Sequence, residues 1–418
     1  MTQGQASSRD TVTNDNGSET VNATSLVHTL SAASVASTIR DEIASTIHPS
    51  DTKQEKLVEN EVTPFQLEFW KPQNIMSVED TPFSNRYLVT LMVLAFSVPG
   101  NLARISLQGL TKYENSYINY SGGTVVWVNF AASFVMSWCN HSLGFWSHVL
   151  EGTEKSSMKQ LALHTGLTGG FCGSFSTLSS ALIEIFFKTI DIVQLPLPNN
   201  GYRVMEFFAS SLVTFSLPFF GHILGRQFAL AFDTYVVPRF SQFITYKNIR
   251  IFELTCGFVG IAALIANLVL TCTLSVGYWY KESYSFAILM GAFGALLRFK
   301  LSAFNGRFFA PWFPTGTLMA NLIGCLLIAV INLLVTGYKS STTDSLLISN
   351  KVHRFILKGF SLGFCGALTT MSSFVNELYN LNHPKLQHIY FWATFTPCFI
   401  FILLIDGSYA WTRGFQHN

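Results

Sequence analysis

The chain has 418 residues, of which 49% are hydrophobic and 12% charged, and a formal net charge of +2; that is too apolar for an ordinary soluble protein of this length. Charge is unevenly placed: residues 1–84 hold 12 of the 24 acids and 5 of the 26 bases, so an acidic, polar stretch precedes a basic, apolar domain. The seven cysteines all fall in hydrophobic runs with no metal-ligand spacing, which argues against a zinc site or a disulfide framework.

In chain order, residues 1–84 are rich in Ser, Thr, Asn, Asp and Glu. They carry too little clustered apolar surface to offset ordering entropy and are expected to be mostly disordered. No apolar core of a secretory signal precedes them, so the first spanning helix is expected to direct insertion. From Arg86 onward come nine hydrophobic segments of spanning length, near 87–107, 124–146, 160–187, 204–224, 252–278, 284–304, 314–337, 354–378 and 389–411. Pro218 and Pro397 interrupt the fourth and ninth, where a packed bundle tolerates a kink. Polar interruptions run from Gly225 to Arg250 and from Tyr338 to Lys351.

An internal repeat organises these segments. Gly170-Phe-Cys-Gly-Ser-Phe-Ser-Thr-Leu-Ser-Ser-Ala-Leu-Ile-Glu184 matches Gly363-Phe-Cys-Gly-Ala-Leu-Thr-Thr-Met-Ser-Ser-Phe-Val-Asn-Glu377 at 8 of 15 positions. Arg104 pairs with Arg298, and Asn129 with Asn321, in the same register to within two residues. Glycines and hydroxyls in mid-membrane suit a broken helix whose freed backbone groups face protein, an ion or water. The expected architecture is an all-α integral membrane protein of nine transmembrane helices. Two four-helix repeats, 85–225 and 284–418, each with a broken third helix, are joined by a linker, 226–283, carrying a single helix. The odd helix forces the second repeat to be inverted relative to the first, which brings the two breaks face to face near the midplane. Basic residues before the linking helix favour a cytoplasmic N-terminus and an external C-terminus.

Several side chains in this frame could carry chemistry. Asn129 and Asn321 each offer an amide donor, either to an anion or to a neighbouring helix as glue. Ser179, Ser180, Ser372 and Ser373, with Ser210, Ser211 and Thr214 on the fourth helix, form a polar track or bond back to their own helix. Arg104 and Arg298 are expected at helix ends, drawing anions to a vestibule or snorkelling to the interface. Glu184 and Glu377 close the broken helices as solvated caps or salt-bridge partners. His141, His148 and His164 follow no metalloprotease spacing, no catalytic triad order is present, and an enzyme is not expected.

Gly294-Ala-Leu-Leu-Arg298, then Phe313-Pro-Thr-Gly-Thr-Leu-Met-Ala-Asn321, then Gly363-Phe-Cys-Gly366 with Thr369-Thr-Met-Ser-Ser-Phe374 and Glu377 resemble the successive signatures of the fluoride channel and export (Fluc/FEX) family. The duplicated layout resembles its eukaryotic single-chain members over about residues 86–411. The resemblance implies passive, selective export of fluoride across the plasma membrane by a fused pseudo-dimer that needs no partner chain, nucleic acid or organic cofactor. It implies a pair of pore phenylalanines, whose places here are taken by Met371 and Phe374 in one half and by Leu178 and Ala181 in the other. With only Phe374 aromatic, at most one of the two ancestral pores is expected to conduct well. It also implies a structural sodium ion on the backbone carbonyls of Gly173, Ser176, Gly366 and Thr369. The rival expectations are a proton-coupled transporter, which needs membrane-embedded titratable groups, and a structural membrane protein.

Overall fold

A computed structural model describes residues 83–113, 123–151, 157–190, 199–275, 277–340 and 343–415. The acidic stretch expected to be disordered lies outside these, apart from the backbone of its last two residues.

The chain opens with α1 (Phe83–Leu110), α2 (Val126–His141) and α3 (Leu143–Leu150). The third hydrophobic segment is broken: α4 (Ala162–Thr165), a π-helical turn over Gly166–Cys172, α5 (Gly173–Phe175) and, past extended Ser176, α6 (Ser179–Thr189). A 36-residue helix α7 (Asn200–Tyr235) and the short α8 (Val237–Phe240) lead to α9 (Tyr246–Thr273). The second half comprises α10 (Phe286–Ser302), α11 (Thr315–Thr336) and an antiparallel hairpin of β1 (Tyr338–Ser340) and β2 (Thr343–Leu346). After it come α12 (Lys351–Phe360), a π-helical turn over Ser361–Cys365, α13 (Gly366–Leu368), extended Thr369 and α14 (Met371–Asn380). Last among the described elements come α15 (Pro384–Ile402), a further π-helical turn over Leu403–Gly407 and α16 (Ser408–Thr412).

Helix therefore occupies each of the nine places expected. Seven of these helical stretches are long and apolar enough to cross a membrane, among them Arg86–Leu110, Tyr246–Thr273 and Thr315–Thr336. The protein is a helical, multi-pass membrane protein. The two remaining places hold α2, of 16 residues, and α10, of 17 residues and directly preceded by a π-helical turn over Lys281–Ser285. Two details of the sequence reading are corrected. The polar stretch beginning at Gly225 continues α7 for ten more residues, so the domain boundary placed at 225 falls inside a helix. The stretch from Tyr338 contains the hairpin, tied to the chain's end where Tyr409 Oη donates to Tyr338 O.

Burial runs opposite to that of a soluble bundle. On α9 the exposed positions include Phe252, Phe258 (77% exposed) and Leu268, while the buried ones are Glu253, Gly257, Gly260 and Asn267. Lipid tails give no hydrophobic advantage to burying leucine, so helix contacts are made through small and polar residues. A Cβ on Gly260 would collide with Ala95 of α1, so the glycine is what allows the two backbones to approach so closely. Within the bundle, one apolar cluster spans both halves, bringing Leu178 and, from α6, Leu182 and Phe186 together with Met371, Phe374, Tyr390 and Cys398.

Candidate functional site

The two broken helices meet. Ser176 is extended (φ −84°, ψ 159°), as is Thr369 (φ −83°, ψ 149°). Around these breaks the hydroxyls interlock: Ser176 Oγ lies 2.8 Å from Ser372 Oγ and 3.1 Å from Thr370 Oγ1, and Thr369 Oγ1 lies 2.9 Å from Ser179 Oγ and 3.2 Å from Thr177 Oγ1. Ser372 N donates to Ser176 Oγ, and Ser179 N to Thr369 Oγ1. Each break thus satisfies the first amides of the opposite helix, which would otherwise be orphans of a helix start.

The asparagines make the breaks. The amide of Thr177 donates to Asn129 Oδ1 at 2.8 Å instead of closing a helical turn onto Gly173 O. Thr370 N donates in the same way to Asn321 Oδ1 at 2.9 Å, instead of to Gly366 O. Each asparagine therefore peels one amide off the helical ladder and leaves a glycine carbonyl without its helical donor. Carbonyls freed in this way suit an oxygen-coordinated cation, so the residues present fit the sodium expected at Gly173 and Gly366. Among the described residues no group of His, Cys, Asp or Glu could hold a metal ion.

Beyond this shared task the asparagines differ. Asn129 Nδ2 donates to Thr177 O at 3.0 Å, so its whole amide is engaged. Asn321 Nδ2, equally buried, has no partner among the described residues. A buried amide donor without an acceptor carries an uncompensated cost of about 1–3 kcal/mol; a partner absent from the protein itself would remove it.

The arginines are not where the sequence reading put them. Arg104 is 1% exposed and Arg298 6%, inside α1 and α10, so the expectation of helix-end, interfacial arginines is corrected. Each guanidinium lies on a glycine of the opposite repeat, Arg298 on Gly173 and Arg104 on Gly366, where any Cβ would overlap it. Arg298 donates to Ala367 O (2.9 Å) and Gly169 O (2.6 Å), and Arg104 Nη2 to Leu362 O and Asn101 Oδ1 (2.6 Å each). Arg104 Nε and Nη1 have no partner among the described residues.

Glu184 is likewise buried, and Glu377 is half-buried. Glu184 Oε2 accepts from Val125 N at 3.2 Å, and Oε1 lies 3.8 Å from Lys188 Nζ. Glu377 accepts from Thr317 Oγ1 and Tyr390 Oη, each at 2.6 Å, and from Asn305 Nδ2 at 3.4 Å. Each glutamate ties its broken helix to the start of the second helix of its own half.

Phe374 is fully buried against Tyr390 (ring centroids 5.2 Å) and Phe391 (6.0 Å). Met371 is buried one turn earlier, and Leu178 and Ala181 are buried in the other half. Ser180 and Ser373 pack against their own caps, Thr177 Oγ1 and Thr370 Oγ1. On α7, Ser211 Oγ is buried without a partner and Thr214 is buried, whereas Ser210 bonds back to Glu206 O.

Sequence reasoning passed over Tyr390 and Thr394. They stand on one face of α15 with Cys398, spaced i, i+4, i+8, and Thr394 is fully buried beside the Tyr390 hydroxyl; the spacing was the available signal. It also passed over Asp406, a fully buried carboxylate in the π-helical turn of the last span, facing the Asn332 amide. His141, His148 and His164 do not come together: His164 packs on Trp146 and His148 bonds to Gly144 O, while His141 meets His222.

Comparison with known proteins places the chain among relatives. Residues 285–406 match the family described as CrcB-like protein, Camphor Resistance (CrcB). The chain is 35% identical over 331 residues to fluoride export protein 1 of Candida albicans, covering 78% of this chain and 81% of that one. It is 26% identical over 361 residues to fluoride export protein 1 of Saccharomyces cerevisiae, covering 76% and 92%. A bacterial protein, the fluoride-specific ion channel FluC of Desulforapulum autotrophicum, is 35% identical over 97 residues, which is 23% of this chain and 69% of its own. No solved structure matches. With this identity over four-fifths of a relative, and with buried asparagines, arginines and broken helices paired across two halves, the chain belongs to the family of the CrcB-like fluoride export proteins.

Proposed function

We propose that this protein is a fluoride-selective channel that lets fluoride leave the cytoplasm down its electrochemical gradient and so relieves fluoride toxicity. The observation that carries the reading is the unpartnered, fully buried amide donor of Asn321 beside a helix break, in a half that also holds Phe374. An anion crossing a low-dielectric interior requires such donors, because an uncompensated buried charge is prohibitive. An aromatic edge adds positive quadrupole charge without a competing hydroxyl. An inside-negative potential expels an anion with about 2.3 kcal/mol per charge per 100 mV, so no coupled energy source is required.

The finer architecture belongs to the same proposal. Nine spans form two inverted repeats about the linking helix α9, and the reciprocal contacts Arg104–Gly366 and Arg298–Gly173 support that symmetry. The chain acts as a monomer in the plasma membrane, with its N-terminus cytoplasmic and its C-terminus outside. One route conducts, lined by Asn321, Met371, Phe374, Ser372 and Ser373, with Tyr390 and Thr394 along α15. The counterpart with Asn129, Ser179, Ser180, Ser211 and Thr214 is closed, because Asn129 spends its donor on Thr177 O. Arg104 and Arg298 brace the breaks, and the carbonyls of Gly173, Ser176, Gly366 and Thr369 hold a sodium ion that fixes the two breaks together.

The test is purified protein in liposomes with a potassium gradient. Valinomycin should trigger fluoride release at a fluoride electrode, with almost no chloride release. Absence of fluoride release refutes the channel, and strict dependence on a proton gradient favours a coupled transporter.

A further inference from the structure

The face of α14 turned away from Phe374 and Glu377 carries Asn376 and Tyr379, and it meets α2 and α7 of the other half. Asn140 Nδ2 donates to Asn376 Oδ1 at 3.1 Å, and Arg226 Nη1 donates to Tyr379 Oη at 2.8 Å. The Tyr379 ring lies 4.5 Å from that of His222 and 6.4 Å from that of His141, and the two imidazoles are 5.6 Å apart, edge to face. His141 Nδ1 is 2.8 Å from Ser137 O; a carbonyl only accepts, so Nδ1 carries the proton. His222 is 0% exposed, and neither of its ring nitrogens has a partner. An imidazole buried with both nitrogens unmet among the described residues is costly, and a bound group would lift that cost.

The surrounding charges define what that is. Two imidazoles and the Arg226 guanidinium converge, Glu206 lies more than four turns away along α7, Arg239 on α8 adds a further positive charge to the packed elements, and Glu377 of α14 accepts from Thr317 and Tyr390 on its opposite face. Asp233 accepts from Gly144 N (2.6 Å) and Phe145 N (3.2 Å) of α3, His148 bonds to Gly144 O, and Glu184 pairs with Lys188 near the opposite end of α2. A cation here would face Arg226, whereas an anion gains from it. Along α2 the same face continues from His141 through Ser137 and Ser133 to Asn129, one turn apart, and Ser133 Oγ is also buried without a partner. This polar face ends blind, because the Asn129 donor is closed on Thr177 O. The arrangement is a place to hold an ion rather than a route through the protein.

We propose that His141, His222 and Arg226, walled by Tyr379, form a binding site for one small inorganic anion, separate from the Phe374 route, whose occupancy rises as the imidazoles take up protons. By linkage, an anion that prefers the protonated site raises the proton affinity of the imidazoles that bind it.

The test is nuclear magnetic resonance of the full chain in micelles, with ¹⁵N-labelled histidine, titrated from about pH 8 down to about pH 3.5 in sodium fluoride and in sodium gluconate. Signals are assigned by their loss in His141→Gln and His222→Gln. In fluoride, the titration midpoints of these two imidazoles should rise by about half a unit, which is about threefold tighter anion binding to the protonated site. Arg226→Gln should abolish the rise, while Asn321→Ala should leave it intact. Equal midpoints in the two salts, or a rise that survives Arg226→Gln, would overturn the proposal. If His222→Gln fails to fold, the His141 signal of the wild type still reads the effect. The outcome is independent of conduction: liposomes that release fluoride alongside unmoved midpoints sink this site alone, and moved midpoints with no release sink the channel alone.

Discussion

Replacing Gly366 with alanine puts a methyl carbon 2.6 Å from Arg104 Nη1, 2.8 Å from Cζ and 3.0 Å from Nη2. The guanidinium is 1% exposed and cannot swing into water, and its Nη2 donates at 2.6 Å to both Leu362 O and Asn101 Oδ1. Making room for the methyl breaks those bonds. Hydrogen bonds from a charged donor contribute about 1.5–3 kcal/mol each, so losing both costs about 3 kcal/mol at the lower figure. On the scale of a large domain this is a fall of about 6–12 °C in the melting midpoint. Gly109 is the control: it is helical and exposed, with nothing within 4 Å of a built Cβ, so alanine there should gain about 0.5–1 kcal/mol. The assay is the thermal midpoint of the solubilised full chain, read as the loss of its monodisperse size-exclusion peak on heating. If Gly366→Ala melts with the wild type, or if Gly109→Ala loses as much, the reciprocal seating of the arginines is wrong.

The two asparagines should separate stability from flux. Asn129→Ala strips partners from both Thr177 N–H and C=O and should destabilise more than Asn321→Ala, by about 1–3 kcal/mol in the same melting assay, while Asn321→Ala should cause the larger loss of fluoride release from liposomes; the reverse order would refute the assignment of the open route. Phe374→Ile keeps a buried apolar side chain, at less than about 1.5 kcal/mol of stability, but removes the aromatic edge. Electrode-measured efflux should fall about tenfold, matching an edge contribution of about 1–1.5 kcal/mol, and unchanged efflux would remove Phe374 from the pathway. Exchanging sodium for N-methylglucamine should lower the melting midpoint, and restoring sodium should recover it by up to about 2.7 kcal/mol at a hundredfold excess over its dissociation constant. Identical midpoints in the two cations would rule out a sodium ion at the breaks.

The places of the helices could be read from hydrophobic runs and the register of the repeat because both are local properties of the chain. The breaks were legible too, since Gly-Phe-Cys-Gly followed by hydroxyls is a poor helix wherever it stands. What the runs did not reveal was where a charged residue points. Arg104 lies six residues before the end of its helix, and sequence supplies no reason to bury it; the reason is Gly366, which is 262 positions away and offers the space. The two asparagines look equivalent in sequence. They differ because the Thr177 carbonyl turns back to Asn129, while Asn321 Nδ2 receives no such contact. Asp406 sits in a run of apolar residues where an acid is conspicuous, and counting spans hid it, because a single charge does not end a hydrophobic segment.

The crossed seating of Arg104 and Arg298 bears on how the protein is made. When the ribosome has completed α1 through α7, Arg104 is already in place in its helix, yet the glycine and the Leu362 carbonyl that receive its guanidinium belong to chain still unsynthesised. The first half must therefore wait in the membrane with an unmatched cation until α12 and α13 arrive. A half-chain expressed alone is expected to be cleared by quality control, whereas two halves produced together should rescue each other. Ordering of the two breaks would then be a late, all-or-none step that depends on contacts very distant in sequence.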